Sequence, residues 1–139
     1  MSDQYPIVIV GGARTPMGGM QGDFAPVTAS QLGAGAIEAA LQRAAINGDD
    51  VGEVIMGNVL GAGQGQAPAR QAAKGAGIPD AVGATTINKM CGSGMKAAMF
   101  GHDLLVAGSA NVVVAGGMES MTNAPYLLEK ARSGMRLGH

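Results

Sequence analysis

Four short stretches of the chain are apolar without alternation: residues 7–10, 54–56, 84–87 and 112–115. A strand exposed on one side alternates apolar with polar positions, so continuous apolarity marks strands covered on both sides, as in a parallel sheet between helix layers. The segments between them carry a helical period instead. Thr28-Ala-Ser-Gln31 has the capping-box pattern and opens a run with Leu32, Ala36, Ala40, Leu41 and Ala44 on one stripe and Gly48 just past its end. Pro68 suits the first turn of a second helix carrying Ala72 and Ala73, which Gly77 and Pro79 stop. Residues 92–106 place Met95, Ala98, Met99, Leu105 and Val106 at helical spacing, with Gly108 as terminator. The predicted order is βαβαβαβ. Right-handed crossovers make it an α/β fold with a mostly parallel sheet and helices on both faces.

After Gly117 the texture changes. Ser120, Thr122, Asn123 and Pro125 lead into a more charged tail with Glu129, Lys130, Arg132 and Arg136, which reads as loop plus a short helix. The chain closes on Leu137-Gly138-His139 without a completing element, as an interrupted fold would. Residues 1–119 are therefore expected to form one incomplete half-domain, and 120–139 the start of a loop region.

Composition narrows the function classes. Of 139 residues 47 % are hydrophobic, enough for a core, and only 14 % are charged, against ~25 % in ordinary soluble domains. Nine Lys and Arg balance ten Asp and Glu, so the clustered positive charge that phosphate backbones require is missing and nucleic acid is not an expected partner. The 24 glycines follow no three-residue period, which excludes collagen. The apolar stretch from Leu104 to Met118 is broken by Gly108, Ser109 and Asn111 and falls short of the ~20 residues of a membrane helix. With one cysteine, Cys91, no intrachain disulfide can form, and a reducing cytoplasm is the default compartment.

Two glycine-rich turns follow apolar runs. Val10-Gly-Gly-Ala-Arg14 lacks the G-x-G-x-x-G spacing, and Gly61-Ala-Gly-Gln-Gly65 continues to Gln66 where a third spaced glycine should stand. Both read as close-packing turns, not nucleotide cradles. Asn88-Lys-Met-Cys91-Gly-Ser-Gly94 is different, because it puts the single cysteine between an apolar strand and a helix start, flanked by glycines that let backbone amides approach a bound group. The positive end of a helix favours thiolate over thiol, and a free amide beside the sulfur can stabilise an oxyanion. On spacing alone two readings stay open: a nucleophile for acyl transfer, or a small buried hydrophobe.

Asn88-Lys-Met-Cys91-Gly-Ser-Gly-Met-Lys-Ala97, followed by Asn111-Val-Val-Val-Ala-Gly-Gly-Met-Glu-Ser-Met121, resembles the N-terminal signature of the thiolases, specifically the acetyl-CoA acetyltransferases. Ile9-Val-Gly-Gly-Ala-Arg-Thr-Pro16 and Gly65-Gln-Ala-Pro-Ala-Arg-Gln-Ala-Ala73 are similar to two further family segments in the right order. The resemblance implies a thiolase-like half-fold lacking the second half. It implies that Cys91 takes an acyl group from one acyl-CoA and passes it to the carbanion of acetyl-CoA, or in reverse to free CoA, which divides a hard condensation into two easier transfers. The expected partners are acetyl-CoA and other acyl-CoA thioesters as substrates, with no separate cofactor and no metal, and a homo-oligomer, dimer or tetramer. The family's remaining acid and base groups come from a Gly-His-Pro block, an Asn-Glu-Ala block and a second cysteine in the C-terminal half. None occurs in these 139 residues, so the chain alone is expected to be inactive. A binding or assembly module derived from a thiolase is the alternative.

Other candidates carry less. His102 lies on the third helix about 16 Å along its axis from Cys91, too far to reach the sulfur, and reads as a packing histidine. His139 is the last residue. Glu119 with Ser120, at the carboxyl end of the fourth run, is equally a site-lining or a structural residue. Met90, Met95 and Met99 fit core positions near Cys91. Arg14 and Arg70 could hold phosphate or serve as solvated or capping residues. No His, Cys and Asp cluster has metal-ligand spacing.

Overall fold

A computed structural model describes residues 6–135. Helix α1 spans Ala29–Ala44, strand β1 Glu53–Gly57, helix α2 Pro68–Gly75, strand β2 Gly83–Ile87, helix α3 Ser93–Val106 and strand β3 Val113–Gly117. The three strands form one parallel sheet in the order β2-β1-β3. The register is even: Gly57 stands opposite both Ile87 and Gly117, so all three strands end at the same carboxyl edge. His139 and Arg136 lie outside the described residues.

Local chemistry sets most of the boundaries. Thr28 caps α1 by accepting from the Gln31 N–H at 3.2 Å, while Gln31 Oε1 accepts from the Thr28 N–H at 2.9 Å. The expected capping box is present. The end of α1 differs from expectation: Ala45, at φ 53°, makes the left-handed turn, and Gly48 belongs to a separate 3-10 turn. The N–H of Ile46 reaches the carbonyl of Leu41, and tertiary packing of this bend outweighs the steric cost of an alanine there. The other two helices stop at Gly77 and Gly108, both at positive φ, as their sequence predicts.

The core lies between α1, α2 and the sheet. Ile37 and Leu41 of α1 meet Val54 and Met56 of β1 and Ala69, Ala72 and Ala73 of α2. Small residues draw the helices together, and a Cβ on Gly33 would stand 2.6 Å from Met118 Sδ and 3.2 Å from Ala72 Cβ. Strand alternation turns Ile55 to the opposite face, where α3 packs, so helices cover both faces.

The first apolar run is a correction. Residues 7–10 form no strand; all four are exposed, Ile9 at 95 %. Apolarity suits a strand, but a strand also needs ladder bonds, and among the described residues this segment makes none: β1 pairs directly with β2 and β3, and the outer edge of β3 stays open. The segment is held to α1 instead. Gly11 lies so close that a Cβ there would stand 2.9 Å from the Ala40 carbonyl, and Arg43 Nη1 donates to the Gly12 carbonyl at 2.8 Å. Between this segment, α1, α3 and β3 lies an apolar cavity of about 540 Å³.

Candidate active site

Cys91 stands where the sequence places it, in the turn from β2 to α3 at the carboxyl edge of the sheet, and it is exposed. Three interactions shape this turn. Asn88 Oδ1 accepts from the Met90 N–H at 2.9 Å, the Lys89 N–H donates to Ser93 Oγ at 2.8 Å, and Ser93 Oγ donates to the Met90 carbonyl at 2.6 Å. Ser93 is buried, and its one hydroxyl satisfies both a donor and an acceptor of the backbone. Met90 is held at φ 48°, a left-handed conformation that a methionine adopts only where its surroundings impose it. Gly92 follows as the N-cap of α3, so Cys91 sits one residue ahead of the cap and two ahead of the helix. A thiol in that place is accessible to a thioester and lies near the positive end of a 14-residue helix.

The neighbouring strand ends supply a second polar cluster. Glu119 Oε1 accepts from Asn58 Nδ2 at 2.8 Å and from the Leu60 N–H at 3.1 Å, and Oε2 accepts from the Val59 N–H at 3.0 Å. Of the two readings open for Glu119, the contacts select the structural one. Asn58 is buried, its Oδ1 accepting from Gln64 Nε2 at 3.1 Å, and Gln64 also donates to the Leu60 carbonyl at 2.6 Å. The glycine-rich turn 61–65 therefore wraps a glutamine, with Gly63 and Gly65 at positive φ, which fits its reading as a packing turn. Ser120 accepts from Asn123 Nδ2 at 2.9 Å. Neither Asn58, Gln64 nor Ser93 is singled out by the sequence. The available signal is a polar residue directly after a fully apolar strand, which must find partners when buried.

Two expectations need correcting, those for the methionines and for His102. Met90, Met95 and Met99 are not core residues; they are 73 %, 75 % and 52 % exposed. Helix α3 touches the sheet through the small stripe Ser93, Ala97 and Gly101, and that close approach leaves the long side chains on its outer face. His102 is not buried by packing, since its side chain is 59 % exposed, with Nδ1 3.4 Å from Asp103 Oδ1. Arg14 is exposed and donates to the Thr15 carbonyl at 3.1 Å, a local contact. Arg70 has one buried guanidinium nitrogen without a partner. Among the described residues no group of three or more His, Cys, Asp and Glu is placed to hold a metal ion, and no helix is long and apolar enough to cross a membrane.

A family model described as "Thiolase, N-terminal domain" matches residues 7–139. Acetyl-CoA acetyltransferase 2 of Arabidopsis thaliana is 56 % identical over 133 residues, which is 96 % of this chain and 33 % of that protein. An acetyl-CoA acetyltransferase of Cupriavidus necator is 53 % identical over 132 residues, 95 % of this chain and 34 % of that protein. Among solved structures, the Acat5 thiolase of Ascaris suum in complex with coenzyme A superposes with a TM-score of 0.85 at 38 % identity, covering 87 % of this chain and 32 % of that one. The chain spans about a third of the length of the curated relatives it matches.

Proposed function

Since the chain belongs to the thiolase family and carries its N-terminal domain, we propose that Cys91 is the acylated nucleophile of an acetyl-CoA acetyltransferase, with this domain supplying the nucleophile's half of the site. The observation that carries this is the placement of Cys91: exposed, at the carboxyl edge of a parallel sheet, two residues before the start of α3, in a turn pinned by Asn88 and Ser93. Ligands of open α/β sheets gather at that edge.

In the first transfer the sulfur of Cys91 attacks the carbonyl carbon of acetyl-CoA. A new S–C bond forms, the C–S bond to CoA breaks, and CoA leaves as a thiol carrying the proton that Cys91 gave up. In the second, the α-carbon of another acetyl-CoA, having lost a proton to a base, attacks the acetyl-cysteine to give acetoacetyl-CoA and returns the thiolate to Cys91. The reverse direction is thiolysis. The sole cysteine of this chain is used in the first step, and the proton transfers of the second need groups placed against it from elsewhere in the whole protein.

The same reading takes residues 1–119 as the half-domain and 120–139 as the opening of a loop region. Supporting this, among the described residues only single 3-10 turns, Met121–Asn123 and Ala131–Ser133, follow β3. It also includes self-association into a dimer or tetramer, supported by the apolar outer face of α3, and a cytoplasmic location, where an exposed catalytic thiol stays reduced.

The complete protein incubated with acetyl-CoA should carry one acetyl group, located by mass spectrometry of its peptides on Cys91, and Cys91→Ala should carry none. An acetyl group retained by that variant would overturn the assignment.

A further inference from the structure

We propose that Glu119 is a positioning residue for Cys91, acting through a chain of hydrogen bonds that crosses all three strand ends. The proposal rests on the nucleophilic role of Cys91 given above. Each link is short. Glu119 leaves β3 and binds three donors of residues 58–60, the exit of the central strand β1. Two of those donors are consecutive main-chain N–H groups, which together form an anion-binding nest, and a carboxylate there makes charge-assisted bonds stronger than neutral ones. The exit of β1 in turn holds the exit of β2. The Asn58 N–H donates to the Ile87 carbonyl at 3.0 Å, and Asn88 Nδ2 approaches the Val59 carbonyl at 3.5 Å. Asn88 then fixes Met90 through its Oδ1, and Met90 adjoins Cys91.

The left-handed backbone of Met90 is the reason this chain matters. A residue in that conformation relaxes unless its neighbours hold it, and relaxation at Met90 would swing the sulfur away from its line of attack. Both carboxylate oxygens of Glu119 are occupied by donors, so it is suited to holding geometry and not to exchanging protons with a substrate. Among the described residues, no other carboxylate hydrogen-bonds to residues 58–60.

The test uses the complete protein and its Glu119→Ala, Glu119→Gln and Asn88→Ala variants. For Glu119→Ala, formation of acetyl-Cys91 should slow about tenfold to a hundredfold, the range that a displacement of about 1 Å costs, with KM for acetyl-CoA changed less than about threefold. Alkylation of Cys91 by iodoacetamide, a small reagent that demands little orientation, should change less than about threefold. Glu119→Gln should restore part of the rate, because its one carbonyl oxygen still accepts while its NH2 faces a donor. Asn88→Ala should reproduce the loss with Glu119 intact, which keeps the proposal open to refutation if Glu119→Ala does not fold. Hydrogen exchange at the Met90 amide should quicken about tenfold in Glu119→Gln and in Asn88→Ala. Wild-type rates of both acetylation and Met90 exchange in these two variants would overturn the positioning role. A wild-type protein that takes no acetyl group would instead refute the function of Cys91, and Met90 exchange alone would then decide whether Glu119 holds this turn.

Discussion

Gly57 and Ser93 meet so closely that a Cβ on Gly57 would lie 2.5 Å from Ser93 Cβ and 2.8 Å from its carbonyl carbon. The last residue of the central strand therefore bears directly on the first residue of α3, two positions after Cys91. Gly57→Ala must push the helix start outward, since backbone cannot yield as a flexible side chain would. We expect a loss of about 1–3 kcal/mol, the usual cost of overpacking, read as a lower urea midpoint. An unchanged midpoint would show that α3 does not rest on this strand.

Ala45 ends α1 at φ 53°, where an L-residue costs about 1–2 kcal/mol relative to glycine. Ala45→Gly removes that strain and adds backbone freedom to the unfolded chain, which takes back about 0.5–1 kcal/mol. The net result should be a Tm higher by a few degrees by calorimetry. A fall in Tm would mean that the Cβ of Ala45 contributes packing greater than its strain.

Lys74 and Asp80 clasp the end of α2 at 2.8 Å. The hydrogen bond from Lys74, then its charge, hold the Asp80 carboxyl below the ordinary aspartate value. A depressed folded value contributes stability above the unfolded value, and that contribution is lost as pH falls through the folded one. The pair is solvent-exposed, so the effect on stability is small. In Lys74→Met the Asp80 carboxyl resonance should titrate at higher pH than in the wild type. An identical titration curve would show that the clasp does not persist in solution.

Met95, Met99, Phe100 and Val106 leave an apolar outer face on α3, and Leu127 and Leu128 add exposed surface after β3. Surfaces of this kind mark interfaces or aggregation sites. At micromolar concentration the 13.8 kDa chain should sediment as a larger species, and Met99→Glu should shift it toward monomer. A single monomer boundary for the unmodified chain would count against this face as an interface.

The parts of this molecule legible in its sequence are those written in neighbouring residues. The capping box at Thr28 and Gln31, the stops at Gly77 and Gly108, and the strand-to-helix turn around Cys91 all depend on contacts within a few positions. Three of the four apolar runs became strands for the same reason. Where the reading failed, the deciding contact was distant. Residues 7–10 have the composition of a strand, but they are held to α1 through Gly11 against Ala40 and Gly12 against Arg43, contacts about thirty residues apart in the chain that composition does not reveal. Met95 and Met99 have helical spacing, but which face of α3 turns inward was settled by how closely Ala97 and Gly101 let it approach the sheet.

The candidate site divides along the same line. Sequence by itself determined where the single cysteine stands, because a lone cysteine between a β-strand and a glycine-flanked helix start is a local pattern. It also determined the α/β class, because apolar period follows directly from residue order. Only the tertiary structure decided what holds that cysteine. Glu119 and Asn58 are 61 residues apart in the chain yet 2.8 Å apart in space, and neither residue type announces the other. A parallel sheet brings the ends of all its strands to one edge whatever their separation in sequence. Polar side chains leaving those ends must then satisfy one another, and that requirement has no counterpart in the unfolded chain.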